Sequence, residues 1–301
     1  SVLHEKAGGY ANNSHAMVGL AAKVEALGVR IITGITVTGV VRDAAGAVLA
    51  VDTDQAPIQC DYLVVAAGPW VPQFWDMLDL PSTVAVKNPD TGDLAQNIPM
   101  WVYWSLQEGT LGVDPKLQVT QDGAMPPVIH VDTDAPLYSD QGGHLITDAM
   151  WGIYYKPDFH FGGVQGGAAP FIVDKPISEI AVDPYGPASP EFVVGADFAD
   201  MWVSALAHCQ SRFAGTAPLF KTEPSGGIGA FTPDSFPVFD EVCDNCFVIA
   251  DSNHGYKMIG VGDLVADKIC GGSPELLRPF RLSRYEEGAL HPVSNSPFPW
   301  S

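Results

Sequence analysis

Residues 62–70 read Tyr62-Leu-Val-Val-Ala-Ala-Gly-Pro-Trp70 and give the strongest indication of fold in this sequence. Their first part is an apolar run of the kind found in a parallel strand that is buried on both faces. Gly68 and Pro69 break the run, and the next residues predict a helix from Val71 to Leu78. Ligands of open α/β sheets lie just beyond the carboxyl ends of such strands, and glycine lets a ligand approach the backbone closely. We therefore expect a ligand site at Gly68.

The residues before this stretch predict one helix and several short strands. Apolar residues recur at helical spacing over residues 14–27, which predicts an amphipathic helix. Residues 29–32 form a short apolar run that predicts a strand directly after the helix. Residues 37–41 and 48–51 predict two more strands, joined across a turn at residues 43–46.

The pattern changes after residue 80. From about Pro81 to Leu219, Pro and Gly punctuate short β-like runs, which predicts a mostly antiparallel second domain with one helix near residues 196–213. Residues 247–250 return to the buried-strand pattern, and residues 259–269 predict an apolar helix. We therefore expect the end of the chain to complete the first domain. The tail over residues 274–301 is rich in Pro and Ser and is expected to pack on the surface or at an interface.

Composition excludes several classes of function. Thirty-five acidic residues against fifteen Lys and Arg give a net charge of −20, which repels nucleic-acid backbones and anionic membrane surfaces. The chain has neither a long apolar run nor a secretory signal, so we expect a soluble, cytoplasmic protein without a membrane span. Five cysteines are an odd number that argues for a reducing compartment.

Two isolated features are compatible with other chemistry. Cys243-Asp-Asn-Cys246 has the spacing of half a zinc site or of a redox pair, but no second pair accompanies it, so we predict no metal site. Ser1 at the start of the chain is compatible with a hydrolase that uses an N-terminal nucleophile. No recognisable base lies beside it in the sequence.

Three segments in this order resemble the D-amino-acid oxidase superfamily of flavoproteins, which includes sarcosine oxidase, glycine oxidase and dimethylglycine dehydrogenase. The segments are Gly8-Gly-Tyr10 with Gly34-Ile-Thr-Val-Thr-Gly-Val40, Val64-Val-Ala-Ala-Gly-Pro-Trp70, and Gly226-Gly227 with Thr232-Pro-Asp234 and Phe247-Val-Ile-Ala-Asp-Ser-Asn-His-Gly-Tyr-Lys257.

The resemblance implies an α/β (α+β) fold. An incomplete, Rossmann-like FAD-binding domain would comprise residues 1–80 and 215–272, a mostly antiparallel β domain over residues 81–214 would bind the substrate, and residues 273–301 would form a tail. The family opens with a strand, GxGxxG and a helix whose N-terminus holds the pyrophosphate. No GxGxxG stands here in that context. We therefore expect a companion polypeptide or N-terminal fragment that carries the motif, as in a heteromer or a cleaved precursor.

The resemblance also implies the flavin-side residues. Lys257 matches a lysine that lies near the flavin and the substrate carboxylate in sarcosine oxidase, and His254 is either a flavin-side group or a residue that braces its loop. Gly227 stands where sarcosine oxidase attaches its flavin through Cys, so FAD is expected to bind this chain without a covalent bond. The residues expected to bind the cofactor are Val37, Ala67, Gly68, Trp70, Gly227, Asn253, Gly255, Tyr256 and Lys257.

Aromatic residues of the second domain are candidate substrate walls, because aromatic rings suit a neutral amine or a methylammonium group. The implied reaction is oxidation of the C–N bond of a secondary or N-methylated amino acid or amine, by hydride transfer to the flavin. Oxidation of a 2-hydroxy acid and a non-catalytic scaffold subunit are alternatives. The candidate substrate contacts are Tyr103, Trp104, Tyr154 and Tyr155, with Trp101 and Trp151 as further wall residues.

Overall fold

The structure is a computed structural model that describes residues 13–118, 128–180, 194–223, 226–250 and 258–291. The helices are α1 (Asn13–Ala26), α2 (Val71–Met77), α3 (Ala196–Cys209), α4 (Met258–Ile269) and α5 (Arg284–Glu287). The strands are β1 (Val37–Arg42), β2 (Val48–Thr53), β3 (Ile58–Gln59), β4 (Leu63–Val65), β5 (Thr83–Lys87), β6 (Leu94–Pro99), β7 (Val102–Leu111), β8 (Ile129–Thr133), β9 (Leu137–Tyr138), β10 (Leu145–Thr147), β11 (Trp151–Asp158), β12 (Gly163–Ile172), β13 (Phe220–Lys221), β14 (Gly227–Phe231), β15 (Val238–Cys243) and β16 (Cys246–Ala250).

The chain divides into two compact units. The first unit comprises residues 1–34, 105–171 and 184–227, and the second comprises residues 35–104, 172–183 and 228–301. These bounds differ from the predicted division at residues 80, 214 and 272. The mixed α/β class with mostly antiparallel sheets is confirmed.

One sheet of the second unit contains the predicted strand at residues 62–66. Its order is β15-β16-β4, with β15 and β16 antiparallel and β16 and β4 parallel. Val65 lies opposite Val248, so the carboxyl ends of β4 and β16 lie at the same edge of the sheet. The sequence predicted burial on both faces of β4. This is wrong for Val64, which is 40% exposed while Val65 is buried.

The predicted strands at residues 37–41 and 48–51 form an antiparallel pair. β1, β2 and β3 make a second sheet in this order, and the Asp43 carboxylate accepts hydrogen bonds from the N–H groups of Ala45 and Ala47 in the turn. The side chain of Asn245, in the turn between β15 and β16, accepts from the N–H of Val48 at 2.7 Å and donates to its carbonyl at 2.7 Å. Asn245 thereby ties β2 to the β15–β16 turn.

The first unit is built on an antiparallel sheet with the order β13-β7-β12-β11-β8. Successive side chains of a strand point to opposite faces, and on β11 one set belongs to a hydrophobic core. This core includes Trp151, Ile153 and Tyr155, and α3 contributes Phe198 and Trp202 to it. The alternate residues Tyr154, Lys156 and Asp158 of β11 face the other side of the sheet and are half-buried, so the second face is polar.

The predicted helix at residues 14–27 is confirmed as α1, but the strand predicted at residues 29–32 is wrong, because the structure has no strand there. A strand needs a partner strand for its backbone hydrogen bonds, and residues 29–32 pair with no other strand among the described residues. Large apolar side chains of this region are instead exposed. They are Met17, Val18, Leu20, Leu27, Val29, Ile31 and Ile32, which we call the α1 apolar surface.

Candidate functional site

The turn at Gly68 follows β4 directly and forms a short 3₁₀ helix over residues 68–70. Gly68 has a φ of +54°, a left-handed conformation that other residues adopt only with strain. A Cβ atom at this position would meet nothing within 4 Å, so the space beside the glycine is open. Because the turn lies at the carboxyl end of a strand parallel to β16, it has the position and the open backbone of a ligand site in an α/β sheet.

Tyr103 braces this turn. Its hydroxyl donates a hydrogen bond to the carbonyl of Pro69, and its side chain is 2% exposed. Burial raises the pKa of the Tyr103 hydroxyl well above its ordinary value, so this group stays a neutral donor. Sequence reasoning placed Tyr103 in a substrate wall, whereas the structure places it under the Gly68 turn as a support.

The other predicted flavin-side residues of the second unit lie on defined elements. Ala67 and Trp70 flank Gly68 and are half-buried, and the Trp70 N–H donates to the Ala67 carbonyl at 3.1 Å. Val37 begins β1 and lies opposite Thr53.

Gly227 begins β14 and belongs to the first unit, where a Cβ atom at this position would meet nothing within 4 Å. It therefore leaves open space of the same kind as Gly68.

The predicted residues of the closing loop lie outside the described residues. β16 ends at Ala250 and α4 begins at Met258, so residues 251–257 connect a strand's carboxyl end to a helix start. The roles assigned to this segment stay predictions. They concern Asn253, His254, Gly255, Tyr256 and Lys257.

The predicted substrate contacts occupy different environments. The ring of Trp104 is half-buried and packs edge-to-face on Phe231, with ring centroids 6.5 Å apart. Tyr155 lies in the core with α3, where its hydroxyl accepts a hydrogen bond from the amide of Gln210 at 2.6 Å. This position favours a core role for Tyr155. Tyr154, its neighbour, lies on the polar face of the same sheet.

Trp101 and Trp151, the further wall candidates, are both buried core residues. Trp101 packs edge-to-face on Trp75, with ring centroids 5.3 Å apart. The indole N–H of Trp151 donates to the Ala135 carbonyl at 2.7 Å. These contacts favour core packing at both positions.

Sequence reasoning missed a carboxyl group on the polar face. The Glu108 carboxylate accepts hydrogen bonds from the Tyr154 hydroxyl and from the amide of Gln165, the latter at 3.1 Å. Burial raises the pKa of Glu108, while the bond from Tyr154 and the charge of Lys156 partly oppose this rise. We call Glu108, Tyr154, Gln165 and Lys156 the Glu108 cluster. Gln165 is buried and the other three side chains are half-buried, and a polar group of this kind on a sheet face is suited to ligand recognition.

The predicted Thr232-Pro-Asp234 motif holds the start of α5. Asp234 accepts two hydrogen bonds from the Arg284 guanidinium, both at 2.8 Å, and both side chains are buried. Burial alone would raise the pKa of Asp234, but the hydrogen bonds and charge of Arg284 outweigh it and hold the pKa below its ordinary value. Arg284 lies in the segment that the sequence assigned to the tail, and this pair ties it to the residues after β14.

The Cys243-Asp-Asn-Cys246 motif forms the turn between β15 and β16. Burial raises the pKa of the Cys246 thiol to about 12, so it is a poor nucleophile and metal ligand. Asn245 in this turn makes the bonds to Val48 given above and also donates to the Asp61 carbonyl at 3.0 Å. Within the described ranges, no group of three or more His, Cys, Asp or Glu side chains is arranged to hold a metal ion. The hydrogen bonds of Asn245 tie this turn to Val48 and Asp61.

Helices long and apolar enough to span a membrane do not occur in the part of the chain that the structure describes.

Comparison with known proteins relates the chain to flavoenzymes. Residues 1–93 match the DAO family, described as FAD dependent oxidoreductase. The chain is 24% identical over 272 residues to a 4-methylaminobutanoate oxidase (formaldehyde-forming) of Paenarthrobacter nicotinovorans, a match that covers 88% of this chain and 27% of that protein.

Two solved structures are similar in fold. L-proline dehydrogenase from P. horikoshii gives a TM-score of 0.55 at 18% identity, with 92% of this chain and 61% of that chain covered. Glycine oxidase from Geobacillus kaustophilus gives a TM-score of 0.52 at 17% identity, with 89% of this chain and 56% of that chain covered. The chain thus spans less than two thirds of these relatives. Over residues 1–93 the chain is therefore similar to the DAO family of FAD dependent oxidoreductases, and its fold is similar to the folds of these two solved structures.

Proposed function

We propose that this chain forms part of an FAD-dependent oxidoreductase that oxidises the C–N bond of a secondary or N-methylated amino acid or amine. The family match and the fold support FAD as the cofactor. The likeness to a 4-methylaminobutanoate oxidase supports an N-methylated amino acid as substrate. The observation that carries the proposal is the open Gly68 turn at the edge where β4 and β16 both end.

The residues at this edge fit a flavin. Gly68 offers open backbone to a planar ligand, and Tyr103 fixes the turn from below through Pro69. β16 ends at the same edge and α4 begins at Met258, and we propose that N–H groups at the start of this helix face a group that gains negative charge. When bound, FAD supplies the acceptor for the hydride of the carbon next to nitrogen. The chain supplies orientation and exclusion of water.

Two residues of the closing loop complete the proposed site. We assign Lys257 to the carboxylate of the substrate and His254 to the flavin side, on the resemblance of this segment to sarcosine oxidase. A cation at the start of a helix is unfavourable for the helix itself, which is consistent with a role in ligand binding. Trp104 and Tyr154 remain the proposed aromatic contacts of the substrate.

A companion polypeptide is the second part of the proposal. The α1 apolar surface exposes seven large apolar side chains. Single exposed apolar residues are normal on protein surfaces, whereas a group of them marks an interaction site. Residues 29–32 include three apolar side chains and lack a strand partner among the described pairings, so we propose that a β-strand of another segment adds to them. We propose that this partner, a companion polypeptide or an N-terminal fragment, carries the GxGxxG motif, because the given sequence does not contain that motif at a strand-to-helix turn.

The function is tested by mixing the native, flavin-containing preparation with 4-methylaminobutanoate in the absence of oxygen. The proposal predicts loss of the yellow flavin absorption and formation of an aldehyde or imine product. The comparison substrate is a 2-hydroxy acid of the same chain length, which carries no amino group. If only the hydroxy acid reduces the flavin, the reaction is hydroxy-acid oxidation and the proposed amine oxidation is wrong. If neither compound reduces the flavin, both reactions lose support.

A further inference from the structure

We propose that Glu108 receives the ammonium group of the substrate and thereby selects amines over neutral compounds of the same shape. The inference rests on the proposed function, because it takes the substrate to be an amine. It is carried by the arrangement of the Glu108 cluster. This arrangement requires a glycine at one position of β12 and leaves acceptor capacity on a half-buried carboxylate.

The Tyr154–Glu108 hydrogen bond spans three strands. Tyr154 lies on β11 and Glu108 on β7, and β12 lies between these strands in the sheet. Neighbouring strands are about 4.8 Å apart, so the two backbones are separated by about 10 Å. The tyrosine side chain must therefore lie across β12 to reach the carboxylate.

Gly167 makes this crossing possible. It lies opposite Tyr154 in the register of β11 and β12. A Cβ atom at position 167 would lie 2.7 Å from the Tyr154 hydroxyl oxygen, a distance too short for any residue with a side chain. On the same face of β12, Gln165 is the next residue with a side chain, and its amide is the second donor to Glu108. The sequence of β12 thus positions both donors around one carboxylate.

The carboxylate retains capacity for a further donor. Its Oε1 accepts from Tyr154 and its Oε2 from Gln165, whereas an ionised carboxylate has about four acceptor sites. Both of these donors are neutral. The nearby cation, Lys156, bonds directly to Asp158. Burial alone would raise the pKa of Asp158, but the hydrogen bonds from Lys156 and from backbone N–H groups outweigh burial and lower this pKa. A substrate ammonium has two or three N–H donors and a positive charge, so it matches what Glu108 offers.

The aromatic neighbours of Glu108 suit an amine substrate. Tyr154 packs beside His130, with ring centroids 5.8 Å apart, so the cluster joins a carboxylate to two aromatic rings. N-methyl groups of a cation bind favourably to aromatic faces. A carboxylate without a cationic ligand in this position would carry the cost of partial burial, which is consistent with its raised pKa.

The experiment compares a cationic ligand with its neutral counterpart on the native, flavin-containing preparation. The cationic probe is 4-methylaminobutanoate, whose dissociation constant follows from the concentration dependence of anaerobic flavin reduction. The neutral probe is 4-methoxybutanoate, in which an ether oxygen replaces the N–H₂⁺ group, measured as a competitive inhibitor. Glu108→Gln is expected to weaken binding of the amine by about 10- to 100-fold and binding of the ether by less than about threefold.

Matched variants separate charge from structure. Glu108→Asp keeps the charge and is expected to retain the preference for the amine, which also tests the proposal if the glutamine variant does not fold. Glu275→Gln removes an exposed carboxylate of the second unit and is expected to change neither constant. If Glu108→Gln weakens both probes equally, or neither of them, Glu108 is a structural residue and the inference is overturned. If the amine does not reduce the flavin of the unaltered protein, the proposed function itself is wrong, whatever the Glu108 variants show.

Discussion

Gly68 is the single residue on which the proposed flavin site most depends. Its left-handed φ of +54° makes a Gly68→Ala substitution cost about 1–2 kcal/mol of stability through backbone strain. The added methyl group would also enter the open space beside the turn. We therefore expect Gly68→Ala to lower the melting temperature and to release flavin. The retained flavin per chain after gel filtration measures the second effect.

Gly143 provides the matched control for this substitution. It has a similar φ of +66° and equally open space at its Cβ position, but it lies near the β9–β10 hairpin of the first unit. Gly143→Ala is expected to cost about the same stability and to leave flavin retention unchanged. Equal loss of flavin in both variants would mean that the Gly68 effect reports stability alone.

The Asp234–Arg284 pair gives a prediction for pH. Because the pKa of Asp234 is lowered in the folded protein, its contribution to stability is present above the unfolded pKa of about 3.9 and is lost as pH falls through the lower folded value. Asp234→Asn leaves the buried Arg284 without its counter-charge and is expected to cost about 3–5 kcal/mol near neutral pH. The deficit should shrink as the pH is lowered below 4, where unaltered protein begins to lose the same interaction.

Urea unfolding at several pH values measures this effect. Asp79→Asn is the control, because Asp79 pairs with Arg42 in an exposed position and such pairs contribute little. A deficit for Asp234→Asn that is small, or that stays constant at acid pH, would contradict the role assigned to the pair.

Among single residues, sequence reasoning found the turn but not the carboxylate. Gly68 is recognisable because a glycine after an apolar strand is a local signal. Glu108 gives no such signal, because its site depends on Tyr154 and Gln165 from two other strands and on the lack of a side chain at Gly167. The glycine-rich run over residues 162–167 was the available indication, since glycine inside a strand marks the close approach of another group.

Among elements, the apolar run at residues 29–32 shows the limit of periodicity. Its composition predicts a strand, but a strand forms only where a partner supplies the second half of the hydrogen bonds. The strands with partners close in sequence, such as β1 and β2 across a short turn, are the ones that residue patterns located well. Helices also agree with their patterns, because their hydrogen bonds are internal: α2, α3 and α4 begin within one residue of the predicted positions.

The same run provides a test of the companion polypeptide. The double substitution Val29→Asp and Ile31→Asp places charges on the α1 apolar surface, where both side chains are exposed. We expect it to leave the stability of the isolated chain within about 0.5 kcal/mol and to reduce both co-purification of the GxGxxG-bearing partner and flavin content. Leu276→Asp, at another exposed apolar residue, is expected to reduce neither. Loss of flavin in the Leu276 variant alone would contradict the proposed surface.

For the chain as a whole, the sequence indicated a mixed α/β fold with mostly antiparallel strands, and the structure confirms this class. It did not locate the bounds of the two compact units. β7 begins in the second unit and continues into the first, and the alternating pattern of a strand does not record where it passes from one unit to the other. Residues 81–104 were therefore grouped with the substrate domain in the prediction, whereas they pack in the second unit.

We propose that this chain and a companion polypeptide or N-terminal fragment together hold FAD at the Gly68 turn. The most direct measurement is the intact mass and the absorption spectrum of the native preparation. We expect a second polypeptide or fragment with a GxGxxG motif, a flavin spectrum, and free FAD after denaturation unless the companion holds it covalently. A colourless preparation that contains this chain as a single polypeptide would show that the chain does not hold FAD in this way.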